Sequence, residues 1–122
     1  MANYQNNITP LVSIIIPVYN AQDYIIKCAT SLFEQTYQNI EFIFINDCST
    51  DNSYTKLLEI ASKYPNRCSY LYNNKHNLGS SATRNIGIDK ATGEYIGIIE
   101  PDDFVKQDTT FTVVEGDSDL PF

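Results

Sequence analysis

The stretch LVSIIIPV, residues 11–18, is a nearly continuous apolar run that is rich in β-branched side chains. A run of this length and composition predicts a β-strand, and its lack of alternation predicts a strand that is covered on both faces. Such strands are typical of parallel sheets that carry helices on either side. The stretch therefore favours an α/β fold.

The rest of the chain alternates between helical and strand patterns. The predicted elements are a helix that is capped by Asn20 with Asp23 and ends near Gln35, a strand at 40–46, a helix that opens at 50–52 and stops at Pro65, a strand at 68–72, a helix capped by Ser80 or Ser81, and a strand at 94–99. This order predicts a Rossmann-like, mostly parallel sheet with helices on both faces. We expect residues 1–10 to be an N-terminal extension, 11–106 to form the domain, and 107–122 to be a tail in which 109–114 resembles a strand.

Composition excludes several classes of protein. Eight Lys and Arg against fifteen Asp and Glu give a net charge of −7, and the seven acids and one base that follow Ile99 account for −6 of it. This balance argues against a nucleic-acid partner. Three widely spaced cysteines with a single histidine predict reduced thiols rather than disulfides or a zinc site. Neither an export signal nor an apolar run of about 18–20 residues is present, which predicts a cytoplasmic protein without a membrane span.

Ligands in open α/β sheets bind outside the carboxyl ends of the strands. At the end of the fourth strand, Glu100, Asp102 and Asp103 form an acidic cluster of hard oxygen ligands suited to Mg²⁺ or Mn²⁺. The alternative is a turn followed by a helix cap, which Pro and Asp favour without any metal. No P-loop motif occurs, and no G-x-G-x-x-G follows the first strand. Phosphate would therefore have to be handled by a metal.

Three other side chains at this edge are candidates for ligand contact. The Asp47 carboxylate is placed to accept a hydrogen bond from a base edge, or else it satisfies backbone N–H groups of its own loop. Tyr19 is placed to cover a planar base, or else it packs in the core. Residues 77–81 lead into a helix N-terminus, which suits an anion, and Arg84 lies one turn inside that helix or is simply solvated.

Together these segments resemble the nucleotide-binding half of the family 2 inverting glycosyltransferases, which have the GT-A fold. The resemblance covers residues 12–106, and its motifs are VSIIIPVYN at 12–20, SLFEQTY at 31–37, NDCSTD at 46–51, NLGSSATRNIG at 77–87 and ATGEYIGIIEPDD at 91–103. Five motifs in the family's order make the resemblance specific, where each motif alone is weak.

The resemblance implies roles for individual residues. It implies that Asp47 contacts a uracil ring, that Pro17 and Tyr19 line the base pocket, and that Arg84 lies near the diphosphate. Asp102 matches the metal-binding acid of the family's DXD motif. The first Asp of that motif is a glutamate here, so Glu100 and Asp103 are further candidate ligands rather than firm ones.

The implied function is binding of a nucleotide-sugar donor, with a UDP-sugar expected, together with Mn²⁺ or Mg²⁺. In a full-length relative this would serve inverting transfer of the sugar to an acceptor hydroxyl in polysaccharide biosynthesis. Members of the family continue into an acceptor-binding half that supplies the general base, and no residue after Phe104 fits that role. One alternative is therefore a truncated, catalytically incompetent nucleotide-binding fragment. Another is a phosphoacceptor receiver domain, but receivers need two acids after the first strand, where this chain has Pro17-Val18-Tyr19-Asn20.

Overall fold

A computed structural model describes residues 9–102 of the chain. Its elements are β1 (Val12–Val18), α1 (Ile25–Phe33), β2 (Ile40–Asn46), α2 (Ser53–Ser62), β3 (Cys68–Asn73), α3 (Ser80–Lys90) and β4 (Tyr95–Ile98). The predicted alternation of strands and helices is confirmed, with bounds that differ by a few residues at most. The tail predicted at 107–122, the strand-like stretch within it, and most of the N-terminal extension lie outside the described residues.

The four strands form one parallel sheet in the order β3-β2-β1-β4. Val12 of β1 is in register with Ile40 of β2 on one side and with Tyr95 of β4 on the other. Successive strands are added on one side as far as β3, and the chain then crosses to the opposite side of β1 for β4. This reversal between β1 and β4 is the topological switch point at which open α/β sheets place their ligands.

Helices cover both faces of the sheet, as the apolar run of β1 predicts. On one face, Ile14 and Ile16 pack in a large core with Ile25 of α1 and Leu57 of α2, and all four side chains are fully buried. The alternate residues of the strands form a smaller cluster on the other face, where Ile15 packs beneath α3. Because both sets of side chains are buried, β1 has no polar face to present to water.

Helix α3 lies very close to the sheet at Gly87. A Cβ added at this position would lie 2.4 Å from Cγ2 of Ile15 and 3.2 Å from Cδ1 of Ile45. Only a residue without a side chain allows this approach. The later part of α3 is thereby held close against β1 and β2.

The predicted helix caps are wrong. Helix α1 begins at Ile25 without a side-chain cap, and Asn20 has a positive φ of 47° and bonds to the loop before α2 instead. Helix α3 is likewise not capped by Ser80 or Ser81, since its N-cap position is Gly79. Neither helix is capped by the side chain that the sequence suggests, and in the case of α1 that side chain bonds to a distant loop.

Within residues 9–102, none of the helices is both long enough and apolar enough to span a membrane. The three cysteines lie apart in the fold, and all three thiols are free. Burial raises the pKa of the Cys28 thiol, which lies on the buried face of α1, to about 12.

Candidate functional site

A cavity of about 320 Å³ opens at the carboxyl ends of the strands, at the switch point between β1 and β4. This volume is at the lower end of the range of small-molecule sites, roughly 300–1,000 Å³. Its lining comes from the segments after β1, β2 and β4 and from the start of α3: residues 17–21, Tyr24, Asp47, Asn77, Gly79, Ser80, Thr83 and residues 100–102.

The fold brings most of the sequence-predicted site residues to this cavity. Its lining includes Pro17, Tyr19, Asp47, Glu100 and Asp102. Arg84 is outside the lining, but it forms an ion pair with Glu100. Asp103, the remaining candidate ligand, lies outside the described residues.

Tyr19 stands at the rim of the cavity and is 51% exposed. Core packing therefore does not account for this aromatic side chain. Pro17, the last residue but one of β1, also lines the cavity. The lining after β1 therefore contains a rigid apolar ring and an aromatic ring. A wall of this kind suits the flat, apolar face of a planar ligand.

Asp47 is almost fully buried, and its carboxylate accepts several hydrogen bonds from the segment that precedes α3. Oδ1 accepts from the Leu78 N–H at 2.8 Å and from Nδ2 of Asn74 at 2.9 Å, and Oδ2 accepts from the Gly79 N–H at 2.9 Å. Burial would raise the pKa of Asp47, but these bonds, together with one from Thr83, hold the pKa below its ordinary value. The carboxylate is therefore ionised and fixed in one orientation at neutral pH.

This arrangement changes the expectation for the start of α3, which the sequence marks as a place for a bound anion. The anion found there is the Asp47 carboxylate itself, bonded to backbone N–H groups at the helix N-terminus. Of the two readings of Asp47 that the sequence leaves open, satisfaction of loop N–H groups is observed. A contact with a base is compatible with it, because Asp47 also lines the cavity.

The loop after β1 is tied to the loop after β2 by hydrogen bonds that the sequence did not reveal. The Asn20 N–H donates to Oγ of Ser49 at 3.0 Å, and Oδ1 of Asn20 accepts from the Thr50 N–H at 2.8 Å. The positive φ of Asn20 permits both contacts, and asparagine tolerates that conformation better than most residues. These bonds fix the segment that carries Tyr19.

A second part of this connection centres on Asp51. Its carboxylate accepts from the N–H and the hydroxyl of Ser53 and, at 3.3 Å, from the Gln22 N–H, while Ser53 Oγ accepts from the Ala21 N–H at 2.6 Å. Burial would raise the pKa of Asp51, but the hydrogen bonds from Ser53 and Gln22 bring it below the ordinary value. The sequence signal that could have indicated this turn is the Asp-x-Ser pattern at residues 51–53.

The acids after β4 line the cavity together with the segment after β1 that carries Tyr19. Pro101 and Asp102 are helical, and Glu100 and Asp102 both belong to the lining. Within residues 9–102, no group of three or more metal-binding side chains comes together. Two carboxylates are a fitting donor set for Mg²⁺ or Mn²⁺ only where a ligand's phosphate and water supply the other oxygens.

A further polar cluster, at the other end of the sheet, is structural. Glu41 is 5% exposed and accepts from the Ser13 hydroxyl at 2.6 Å and from the N–H of Thr92 at 2.7 Å. The Gly93 N–H donates in turn to Ser13 Oγ at 2.8 Å. The cluster joins the starts of β1 and β2 to the turn before β4, far from the cavity.

Comparison with known proteins agrees with this fold. The family model described as glycosyl transferase family 2 matches residues 13–116. An uncharacterised glycosyltransferase of Haemophilus influenzae is 44% identical over 99 residues, which cover 81% of this chain and 39% of that protein. Among solved structures, the mannosyltransferase PcManGT from Pyrobaculum calidifontis, in complex with GDP-Man and Mn²⁺, is similar with a TM-score of 0.73 at 26% identity over 76% of this chain and 28% of that one. TarS of S. aureus in complex with UDP is similar with a TM-score of 0.66 at 29% identity over 75% of this chain and 27% of that one.

The parallel sheet and these matches define a domain of the glycosyltransferase class with the GT-A fold. The chain belongs to glycosyl transferase family 2. It spans 39% of the length of its H. influenzae relative and corresponds to the N-terminal part of the family's longer members.

Proposed function

We propose that this chain is the donor-binding part of a glycosyltransferase and holds a UDP-sugar together with Mn²⁺ or Mg²⁺. The observation that carries the proposal is the composition of the cavity, which has an aromatic and apolar wall after β1 and an acidic wall after β4. The nucleoside diphosphate part of a nucleotide-sugar has matching chemistry, because it joins a planar base to a charged diphosphate. The similar structures with bound GDP-Man and Mn²⁺, and with bound UDP, support the same class of ligand.

In this proposal Pro17 and Tyr19 cover the face of the base. Asp47 accepts a hydrogen bond from the N–H of the uracil ring, held in place by its bonds to the loop before α3. Asp102 would hold the cation, with Asp103 as a further candidate. When bound, the cation neutralises the charge that develops on the leaving diphosphate.

We assign sugar transfer to the full-length members of this family, which are longer than this chain. There, a carboxylate base would deprotonate an acceptor hydroxyl, which attacks the sugar from the face opposite the diphosphate and inverts the anomeric centre. The residues after β1, β2 and β4 described here position the donor for that attack.

Nucleotide choice is tested by calorimetry with Mn²⁺ present, comparing UDP with ADP and GDP. We expect UDP to bind most tightly, and Asp47→Ala to weaken UDP binding by about 1–3 kcal/mol, the cost of leaving a buried donor unpaired. Asp23→Ala is the matched control, because it removes an exposed carboxylate outside the cavity lining. Equal affinity for UDP and ADP would contradict recognition of the base.

Cation binding is tested by titrating Mn²⁺ with and without UDP. Because the described carboxylates supply too few ligands for a closed site, we expect weak Mn²⁺ binding alone and tighter binding with UDP. Reciprocity requires Mn²⁺ to raise UDP affinity by the same factor. Asp102→Ala should abolish this coupling, whereas Asp89→Ala, at an exposed position of α3, should leave it intact. Coupling that survives the loss of Asp102 would refute the cation assignment.

A further inference from the structure

The ion pair between Arg84 and Glu100 joins α3 to the segment after β4. Glu100 lines the cavity, and so does Thr83, the residue directly before Arg84. The guanidinium group is therefore held at the edge of the cavity, beside the wall that carries Asp102. No pattern in the sequence indicated that these two residues meet.

We propose that Glu100 is a positioning residue that holds Arg84 for contact with a diphosphate, and that it is not a ligand of the cation. This inference rests on the proposed function and specifies how its phosphate end is recognised. A cation bound to Glu100 would lie next to the guanidinium, and two positive charges on one carboxylate repel each other. Glutamate is also one methylene longer than the aspartate of the family motif, and this chain uses its longer side chain to contact α3.

The exposure of the pair fits contact with a ligand. The side chains of Arg84 and Glu100 are 40% and 28% exposed, so the guanidinium is open to solvent on one side. Among the residues that the structure describes, Glu100 is its one ion-pair partner. A guanidinium has five N–H donors in a planar fork, and those not used by Glu100 suit the oxygens of a phosphate.

The pair also sets the charge of this wall. With Glu100 compensated by Arg84, Asp102 is the one uncompensated carboxylate that the described residues place at the β4 edge. A single carboxylate holds Mn²⁺ or Mg²⁺ only together with phosphate oxygens. Arg84 and Asp102 would thus share the diphosphate, the first directly and the second through the cation.

The experiment measures two affinities in the 122-residue chain: that of inorganic pyrophosphate or UDP at fixed Mn²⁺, and that of Mn²⁺ at saturating UDP. We expect Arg84→Gln and Glu100→Ala each to weaken pyrophosphate and UDP binding about 10- to 100-fold, the loss expected for a charge-assisted hydrogen bond. The double variant should be no weaker than Arg84→Gln alone, because Glu100 acts through Arg84. Lys90→Gln, which removes a positive charge at the far end of α3, should leave both affinities unchanged.

Two readouts separate positioning from cation binding and from damage to the fold. Mn²⁺ affinity at saturating UDP should be retained in Glu100→Ala and lost in Asp102→Asn, and uridine affinity should be unchanged in Glu100→Ala. A loss of Mn²⁺ affinity in Glu100→Ala equal to that in Asp102→Asn would overturn the inference, as would wild-type pyrophosphate affinity in Arg84→Gln. If the chain binds pyrophosphate with Mn²⁺ through Arg84 but binds UDP and ADP equally, the proposed base recognition fails and the inference stands.

Discussion

Replacing Asp47 by asparagine tests how far one buried carboxylate holds the cavity wall together. Asparagine has nearly the same shape, but it has one oxygen acceptor where aspartate has two. Both oxygens of Asp47 accept from N–H groups, those of Leu78 and Asn74 on Oδ1 and that of Gly79 on Oδ2. Whichever way the amide is turned, its NH₂ group must therefore face at least one N–H group.

The expected cost follows from these contacts. A buried donor left without an acceptor costs about 1–3 kcal/mol. Loss of the negative charge at the N-terminus of α3 costs a further 0.3–1 kcal/mol, roughly. We therefore expect Asp47→Asn to lower the free energy of unfolding by about 1.3–4 kcal/mol near pH 7, a large fraction of the stability of a small domain.

The effect should depend on pH in a defined direction. The pKa of Asp47 in the folded chain lies below its ordinary value, which is about 3.9 in an unfolded chain. The ionised carboxylate therefore stabilises the fold fully above about pH 4, and this contribution is lost as the pH falls through the folded-state pKa. The asparagine variant lacks the contribution at every pH, so the difference between the two proteins should shrink in acid.

Urea unfolding followed by circular dichroism at a series of pH values from 3 to 7 measures this difference. Asp23→Asn is the control, because it changes an exposed carboxylate and should alter the free energy of unfolding by less than about 0.5 kcal/mol. A difference below about 0.5 kcal/mol for Asp47→Asn at pH 7 would refute the reasoning. So would a difference that stays constant between pH 7 and pH 3.

Two further predictions concern the core. Gly87→Ala should destabilise the chain by up to about 2 kcal/mol, because the new methyl group overlaps Ile15 and costs about 1–3 kcal/mol, while the gain in helix propensity returns about 1 kcal/mol. Ser81→Ala, exposed on the same helix, should be neutral or stabilising in the same urea titration, and equal behaviour of the two variants would show that α3 does not lie so close to β1. For the thiols, an alkylating reagent at pH 8 should label exposed Cys68 in the native chain and reach Cys28, whose pKa is about 12, only after unfolding. Equal labelling rates for the two would contradict the burial of Cys28.

Local pattern in the sequence was enough to determine the architecture. The both-face apolar runs at Val12–Val18 and Ile40–Asn46 predicted buried parallel strands, and the helical spacing between them predicted the crossovers. From these alone the carboxyl edge of the sheet is defined, and with it the group of residues to examine for a ligand. This was possible because burial of an apolar face depends on the periodicity of neighbouring residues, which the sequence displays directly.

The partners of the polar side chains were decided only by the tertiary structure. Asn20 looked like a helix cap but bonds to Thr50, 30 residues away, and Asp47 bonds to Leu78, 31 residues away. Arg84 and Glu100 form their pair across 16 residues, between a helix and a strand end. A hydrogen bond or an ion pair depends on distances of a few ångströms between groups that are far apart along the chain, and these distances exist only once the sheet has brought the loops together.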